Sequence, residues 1–460
     1  MQNNRNKERL WTPPHAMPLN GSESRLQAIV KFIRNPLEGF NAKVYVAGIT
    51  KHKLLSVKMH VVTSPEAANI IFKKQAINFR KSELNQRIMG PATKQGLIVV
   101  HGKQWQAQRR TIAPMFQHKH LITHSLHISE ALEEFVNTLG ECENELELSA
   151  TMTKLTFNVL AKTLLGNPKG IDREKLARAA YTVVSETGTL RLDDFLPHPK
   201  WLPRPLSPRG YFALRALRKA ANQLLLERKN QNHTDDLVGL LCHSVDPKTK
   251  RALTTREQRD NLIGFFIAGH ETSALALTWA LYLIGSHPET QERIQEEIRA
   301  VAGDGKIKFE QVNDFKFVNA VLNEAIRLFP PIPILGREAT CDTQVLDTKI
   351  KKDEIVVIPL YVMHRSKIYW SNPNSFDPDR FLRNPTIERT ALQFKPFGDG
   401  PRVCIGTSFA VIEAVMAIVT IVRKFEVIID CEIFKPQVTA SLRPSSKINV
   451  KFIKREADQN

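Results

Sequence analysis

Residues Phe394 to Phe425 read FKPFGDGPRVCIGTSFAVIEAVMAIVTIVRKF, and the rest of the chain is best understood outward from them. Three glycines, Gly398, Gly400 and Gly406, surround Cys404 before an apolar helix begins. A glycine-rich loop of this kind presents one sulfur at a helix N-terminus. The helix dipole and free backbone N–H groups there stabilise negative charge, so the position favours a thiolate. Cys142, Cys242, Cys341 and Cys431 lie singly and far apart, without a CxxC pair, and are expected to be small core hydrophobes. Neither a disulfide framework nor a zinc cluster fits that pattern.

Upstream, VLNEAIRLFPP sets Glu324 and Arg327 three apart on one helix face, with Pro330 stopping the helix. A solvated surface pair is the plain reading. The apolar surroundings favour burial instead, and a buried pair needs further partners to offset desolvation, with Arg380 of SFDPDRF a candidate.

Further upstream, LIGFFIAGHETSALALTWALYLIG (Leu262 to Gly285) is nearly long enough to cross a bilayer. His270, Glu271, Thr272 and Ser273 at its centre argue for a buried core helix, because ionisable groups are costly in lipid. Ala268 and Gly269 leave room for a cofactor close to the backbone. An ordinary core helix with an internally satisfied polar knot is the alternative, and position alone does not choose between them.

The remaining segments set the class. KVYVAGITKHKLLSVKMHVVTS alternates apolar and polar residues as antiparallel strands do, and GREATCDTQV and EIVVIPLYV do so again. PEAANIIFKK, ALEEFVNTL and REKLARAAYTVVSE carry helical periodicity. FLPHPKWLPRPLSPRG is expected to be a loop between helices. The expected fold is therefore mainly α (α+β), with sheet confined to two regions far apart in sequence.

The chain has 460 residues, 42% of them hydrophobic, and a net charge of +18. Such a charge invites a nucleic-acid reading, but Lys and Arg are dispersed and no nucleic-acid motif accompanies them, so no nucleic-acid partner is expected. The first twenty residues hold no apolar run of the length a signal or membrane anchor requires, which leads us to expect a cytoplasmic protein with no membrane anchor.

With these segments in hand, Phe397 to Gly406, F-G-D-G-P-R-V-C-I-G, resembles the haem-binding loop of the cytochrome P-450 superfamily. A-G-H-E-T (Ala268 to Thr272), E-x-x-R (Glu324 to Arg327) and P-D-R-F (Pro378 to Phe381) follow the same family's order and distances, and W-Q-A-Q-R (Trp105 to Arg109) resembles its propionate-holding helix. The resemblance implies one cytochrome P-450 domain over 1–460. It implies a β-rich lobe over about 36–64 with strands from 331–364, and a helical haem-binding part over about 65–330 and 365–430.

The resemblance also implies roles. Cys404 is expected to be the axial ligand of haem b (iron protoporphyrin IX), its thiolate favouring O–O cleavage. Phe397 packs beside the sulfur, with Ala268, Gly269 and Gly406 close to the cofactor. Trp105, Arg109, Arg402 and Arg337 serve the propionates, the first two as donors one helical turn apart. Glu324, Arg327 and Arg380 form a structural ion network, and His270 is a pocket or helix-packing residue. Glu271 and Thr272 resemble the acid–alcohol pair that delivers protons during dioxygen activation.

That pair favours a monooxygenase over a peroxygenase, isomerase or sensor, and over a non-haem binding protein with a structural cysteine. No flavin, nicotinamide or iron–sulfur motif is present, so two electrons are expected from a separate partner. The likeness to soluble bacterial-type members implies a ferredoxin or flavodoxin with its reductase, steered by a basic face that includes Lys103 and Arg110. The co-substrates are molecular oxygen and a lipophilic small molecule. Residues 80–100, 178–200, 262–272 and 331–336 are expected to line its pocket, with Ile332, Pro333, Ile334 and Leu335 forming an apolar wall.

Overall fold

The computed structural model describes residues 10–140, 144–166, 172–196, 204–230, 236–303, 305–383, 391–430 and 433–455. Helix predominates. Its axis is Thr255–Gly285, started by a capping box in which Thr254 accepts from the Glu257 amide while Glu257 caps Thr254. This central helix packs on Leu148–Thr163, Lys316–Leu328, Thr407–Lys424 and Pro208–Lys229. It is buried all round for most of its length, which its low amphipathicity requires. Trp279, fully buried, stacks on Phe329 with ring centroids 4.1 Å apart and anchors the helix of Glu324 and Arg327 against it.

The two strand-like segments meet in one sheet. The hairpin Ile49–Leu54 and Val57–Val62 runs parallel to Ile355–Pro359 through its second strand. Ile355–Pro359 pairs antiparallel with Ile334–Ala339, whose other edge takes Phe79–Arg80. Alternation is interrupted before the hairpin: Ala42–Tyr45 forms a 3₁₀ turn because the Asn41 side chain accepts from the Val44 amide. The apolar strand pattern therefore starts six residues later than KVYVAG suggests.

Sheet is not confined to two regions, which corrects the expectation. Phe425–Asp430 pairs with Asn449–Lys454, and Pro436–Val438 forms a hairpin with Leu442–Pro444. FEVIID follows the helix directly after Arg423 and Lys424 with no turn residue between, and its six residues are too short a window for the change of period to be detected. Of the proline cluster 195–210, residues 197–203 lie outside the described ones. No helix among the described residues is long and apolar enough to cross a membrane.

Candidate functional site

The cysteine loop is shaped by its glycines. Gly400 has φ +69°, and a Cβ there would fall 1.8 Å from the carbonyl oxygen of Phe72, so only glycine fits. Asp399 accepts from the Gly400 amide at 2.7 Å and contacts Lys395 and Lys73, closing the turn. The Cys404 amide donates to the Phe397 carbonyl at 3.0 Å, and Thr407 Oγ1 donates to the Cys404 carbonyl at 2.9 Å. Helix Thr407–Lys424 then begins. Cys404 is open to solvent, yet protein encloses it closely enough that burial pushes its thiol up. The Gly406 amide and the charge of Arg109 act the other way. Openness together with enclosure marks the wall of an internal cleft.

The central helix shows where that cleft lies. Among neighbours that are otherwise buried, Ala268 is exposed and Phe265, Gly269 and Thr272 are half-buried, which is one helical face. Phe265 meets Phe116 at 5.9 Å, and Phe116 stands 4.0 Å from where a Gly406 side chain would begin, so one ring bridges this face and the cysteine loop. Thr272 Oγ1 donates to the Ala268 carbonyl at 2.7 Å. Glu271 is buried and turned to the hairpin, where Arg443 pairs with it at 2.6 Å.

Two neighbours complete this stretch, and of the two roles expected for His270, pocket lining or helix packing, the second holds. A Cβ on Gly269 would meet Leu160 at 2.7 Å, so the missing side chain makes room for helix Leu148–Thr163, while Gly269 itself is half-buried on the open face beside Ala268. His270 is buried edge-on against Phe157, its ring contacts the Phe266 carbonyl, and burial lowers its pKa. It is a neutral packing residue pointing away from the open face.

A group of cations gathers near the sulfur. The Arg402 guanidinium lies 4.4 Å over the ring of Trp105, and Arg402 also donates to the Val100 carbonyl at 3.1 Å. Arg337 is buried over Phe72 at 5.0 Å and, among the described residues, donates only to the adjacent Gly336 carbonyl. Burial holds both guanidinium groups down to about 10 and lowers Arg109 too. Lys81, not foreseen, joins them: burial and the charges of Arg337 and Arg402 bring its amine to about 7. Among the described residues no carboxylate acts on any of the four. Four buried or half-buried cations that no carboxylate offsets suit an anionic group.

The profile of the Cytochrome P450 family matches residues 37–452. The chain belongs to the cytochrome P450 family. A cytokinin hydroxylase of Arabidopsis thaliana is 30% identical over 377 residues, covering 77% of this chain and 71% of the relative. Protein LUTEIN DEFICIENT 5, chloroplastic, of the same plant is 30% identical over 406 residues, covering 79% and 64%. Cytochrome P450 4X1 of Rattus norvegicus is 27% identical over 373 residues, covering 76% and 73%. These relatives are plant and animal proteins rather than bacterial ones.

This cytochrome P450 is a monooxygenase of the haem-thiolate type. The residues present fit the group: Cys404 faces the cleft, Ala268 leaves the opposing helix face open, and four unpaired cations suit two propionates. Behind the site, Glu324 and Arg327, both wholly buried, bond twice at 2.7 and 2.8 Å. Arg380 and the Asp377 amide also donate to Glu324, at 3.0 and 2.9 Å. Arg327 donates further to the carbonyls of His364, Pro373 and Ser375, so the buried charge is fully used.

Several expectations need correction. Arg110 is tied bidentately to Asp246 at 2.7 Å and is not a free docking charge, whereas Lys103 is exposed. Cys341 is exposed and so not a core hydrophobe, whereas Cys242 is half-buried and packs against the main core; Cys142 and Cys431 lie outside the described residues. Pro333 is buried, and Ile332, Ile334 and Leu335 are half-buried. Lys81 was missed because a single lysine after a two-residue strand gives no local signal.

Proposed function

We propose that this cytochrome P450 holds haem b through Cys404 and inserts one atom of dioxygen into a lipophilic substrate, in the cytoplasm. The observation that carries the reading is the open Cys404 sulfur beside enclosed cations that lack an anion. Lys81, Arg109, Arg337 and Arg402, with the Trp105 indole, would hold the propionates by charge-assisted bonds. When bound, the haem supplies the iron at which dioxygen is reduced and cleaved.

The protein's own part is to deliver protons and exclude bulk water. Thr272 Oγ1 gives its hydrogen to the Ala268 carbonyl at rest, leaving its lone pairs to accept from a water in the cleft. Glu271 recharges that water from its side of the helix. Ile332, Ile334 and Leu335 give the substrate an apolar wall. Electrons come from a ferredoxin or flavodoxin with its reductase, with Lys103 contributing to an acidic partner's docking.

The test is the visible spectrum of the reduced protein under carbon monoxide, for wild type and Cys404→Ser. A strongly red-shifted Soret band that the substitution abolishes supports the reading. An imidazole-like band in both proteins, or no haem in either, sinks it.

A further inference from the structure

The hairpin Pro436–Val438 and Leu442–Pro444 brings two donors to Glu271 that nothing above assigns a role. Ser441 Oγ donates to Glu271 Oε1 at 2.5 Å, and Arg443 Nη2 donates to the same oxygen at 2.6 Å. Oε2 accepts no bond among the described residues, so both protein donors converge on one oxygen and leave the other for water.

The hairpin is held firmly enough to aim them. The Leu442 amide donates to the Pro331 carbonyl at 2.9 Å, and its carbonyl accepts from Trp279 Nε1 at 3.0 Å. Gly188 closes on the hairpin tip so tightly that an added Cβ would lie 1.9 Å from the Ala440 Cβ. The Arg443 guanidinium also lies 4.8 Å from the ring of Tyr181, on helix Arg173–Gly188. Arg443 therefore spans three elements: hairpin, central helix and the helix of Tyr181.

We propose that Arg443 and Ser441 are positioning residues for proton delivery, pinning Oε1 so that Oε2 of Glu271 faces the water that recharges Thr272. This rests on the reading of Glu271 and Thr272 as the proton-delivering pair. A carboxylate held by a cation and a hydroxyl on a fixed hairpin has one rotamer, whereas an unheld one samples several and delivers more slowly. When protons arrive late, reduced dioxygen leaves as hydrogen peroxide instead of being cleaved.

The experiment uses the haem-loaded full chain, supplied with NADPH through a ferredoxin and its reductase, and measures the share of consumed dioxygen released as peroxide. Arg443→Gln, Ser441→Ala and Glu271→Gln are each expected to raise that share severalfold, with Arg443→Lys recovering part of the loss. Neither is expected to raise it further in the Glu271→Gln background. In parallel, urea unfolding of Arg443→Gln, Glu271→Gln and the double variant reads the pair without turnover, and the double variant is expected at the midpoint of the worse single one. If Glu271→Gln leaves the peroxide share unchanged, the proton-delivery reading itself fails. If Glu271→Gln raises it while Arg443→Gln and Ser441→Ala do not, or if the midpoint losses simply add, the positioning proposal alone is overturned.

Discussion

The Arg402 guanidinium lies 4.4 Å over the Trp105 ring, so the cysteine loop and a helix from the first quarter of the chain form one surface. Arg402 is thereby held in place while its charge stays uncompensated. Replacing Arg402 or Arg337 with Ala removes a charged hydrogen-bond donor, a loss of about 1.5–3 kcal/mol. Each variant is expected to lose haem to apomyoglobin about ten- to a hundredfold faster, and equal rates would remove that arginine from the propionate set.

Lys81 makes haem binding depend on pH. In the haem-free protein burial and two neighbouring arginines bring its amine from 10.5 to about 7. Between those values the unfolded chain binds the extra proton, so the haem-free protein gains stability as pH rises through that window. A propionate beside Lys81 favours the charged form, so haem binding takes up a proton above pH 7 and weakens as pH rises. Calorimetry in buffers of different ionisation enthalpy is expected to show this uptake in wild type and not in Lys81→Met.

Glu324 neutralises two arginines in a place water does not reach. Glu324→Gln keeps the shape and leaves Arg327 buried without its counter-charge, at a cost of about 3–5 kcal/mol. Arg327→Lys keeps the charge and loses the planar fork that serves Glu324 and three carbonyls at once. Both are expected to fall well below wild type in urea midpoint. A midpoint within error of wild type for either would show that the network contributes little.

Two glycines are expected to respond oppositely to alanine. Gly400→Ala puts a Cβ onto the Phe72 carbonyl and strains a positive φ, so it is expected to yield little folded protein. Gly269→Ala meets only the flexible end of Leu160, and better helix propensity offsets that contact by about 1 kcal/mol. It is expected to fold and to keep its haem content. Selective haem loss from a well-folded Gly269→Ala would show that the cofactor needs that position without a side chain.

By itself the sequence determined the chemistry of the centre and the class of the fold. Cys404 between glycines, the acid and alcohol inside an apolar helix, and Glu324 one turn from Arg327 are local patterns, set by spacing along one element. Tertiary structure decided which way those residues face and what completes them. Ala268 and Gly269 are adjacent and both small, but only packing shows that Ala268 is open to the cleft while the missing side chain of Gly269 also makes room for Leu160. Lys81 joins Arg337 and Arg402, Arg443 reaches Glu271, and Arg110 is taken up by Asp246, each across a long stretch of chain. Such pairings depend on where separate elements meet, and no period or spacing along the chain carries that information.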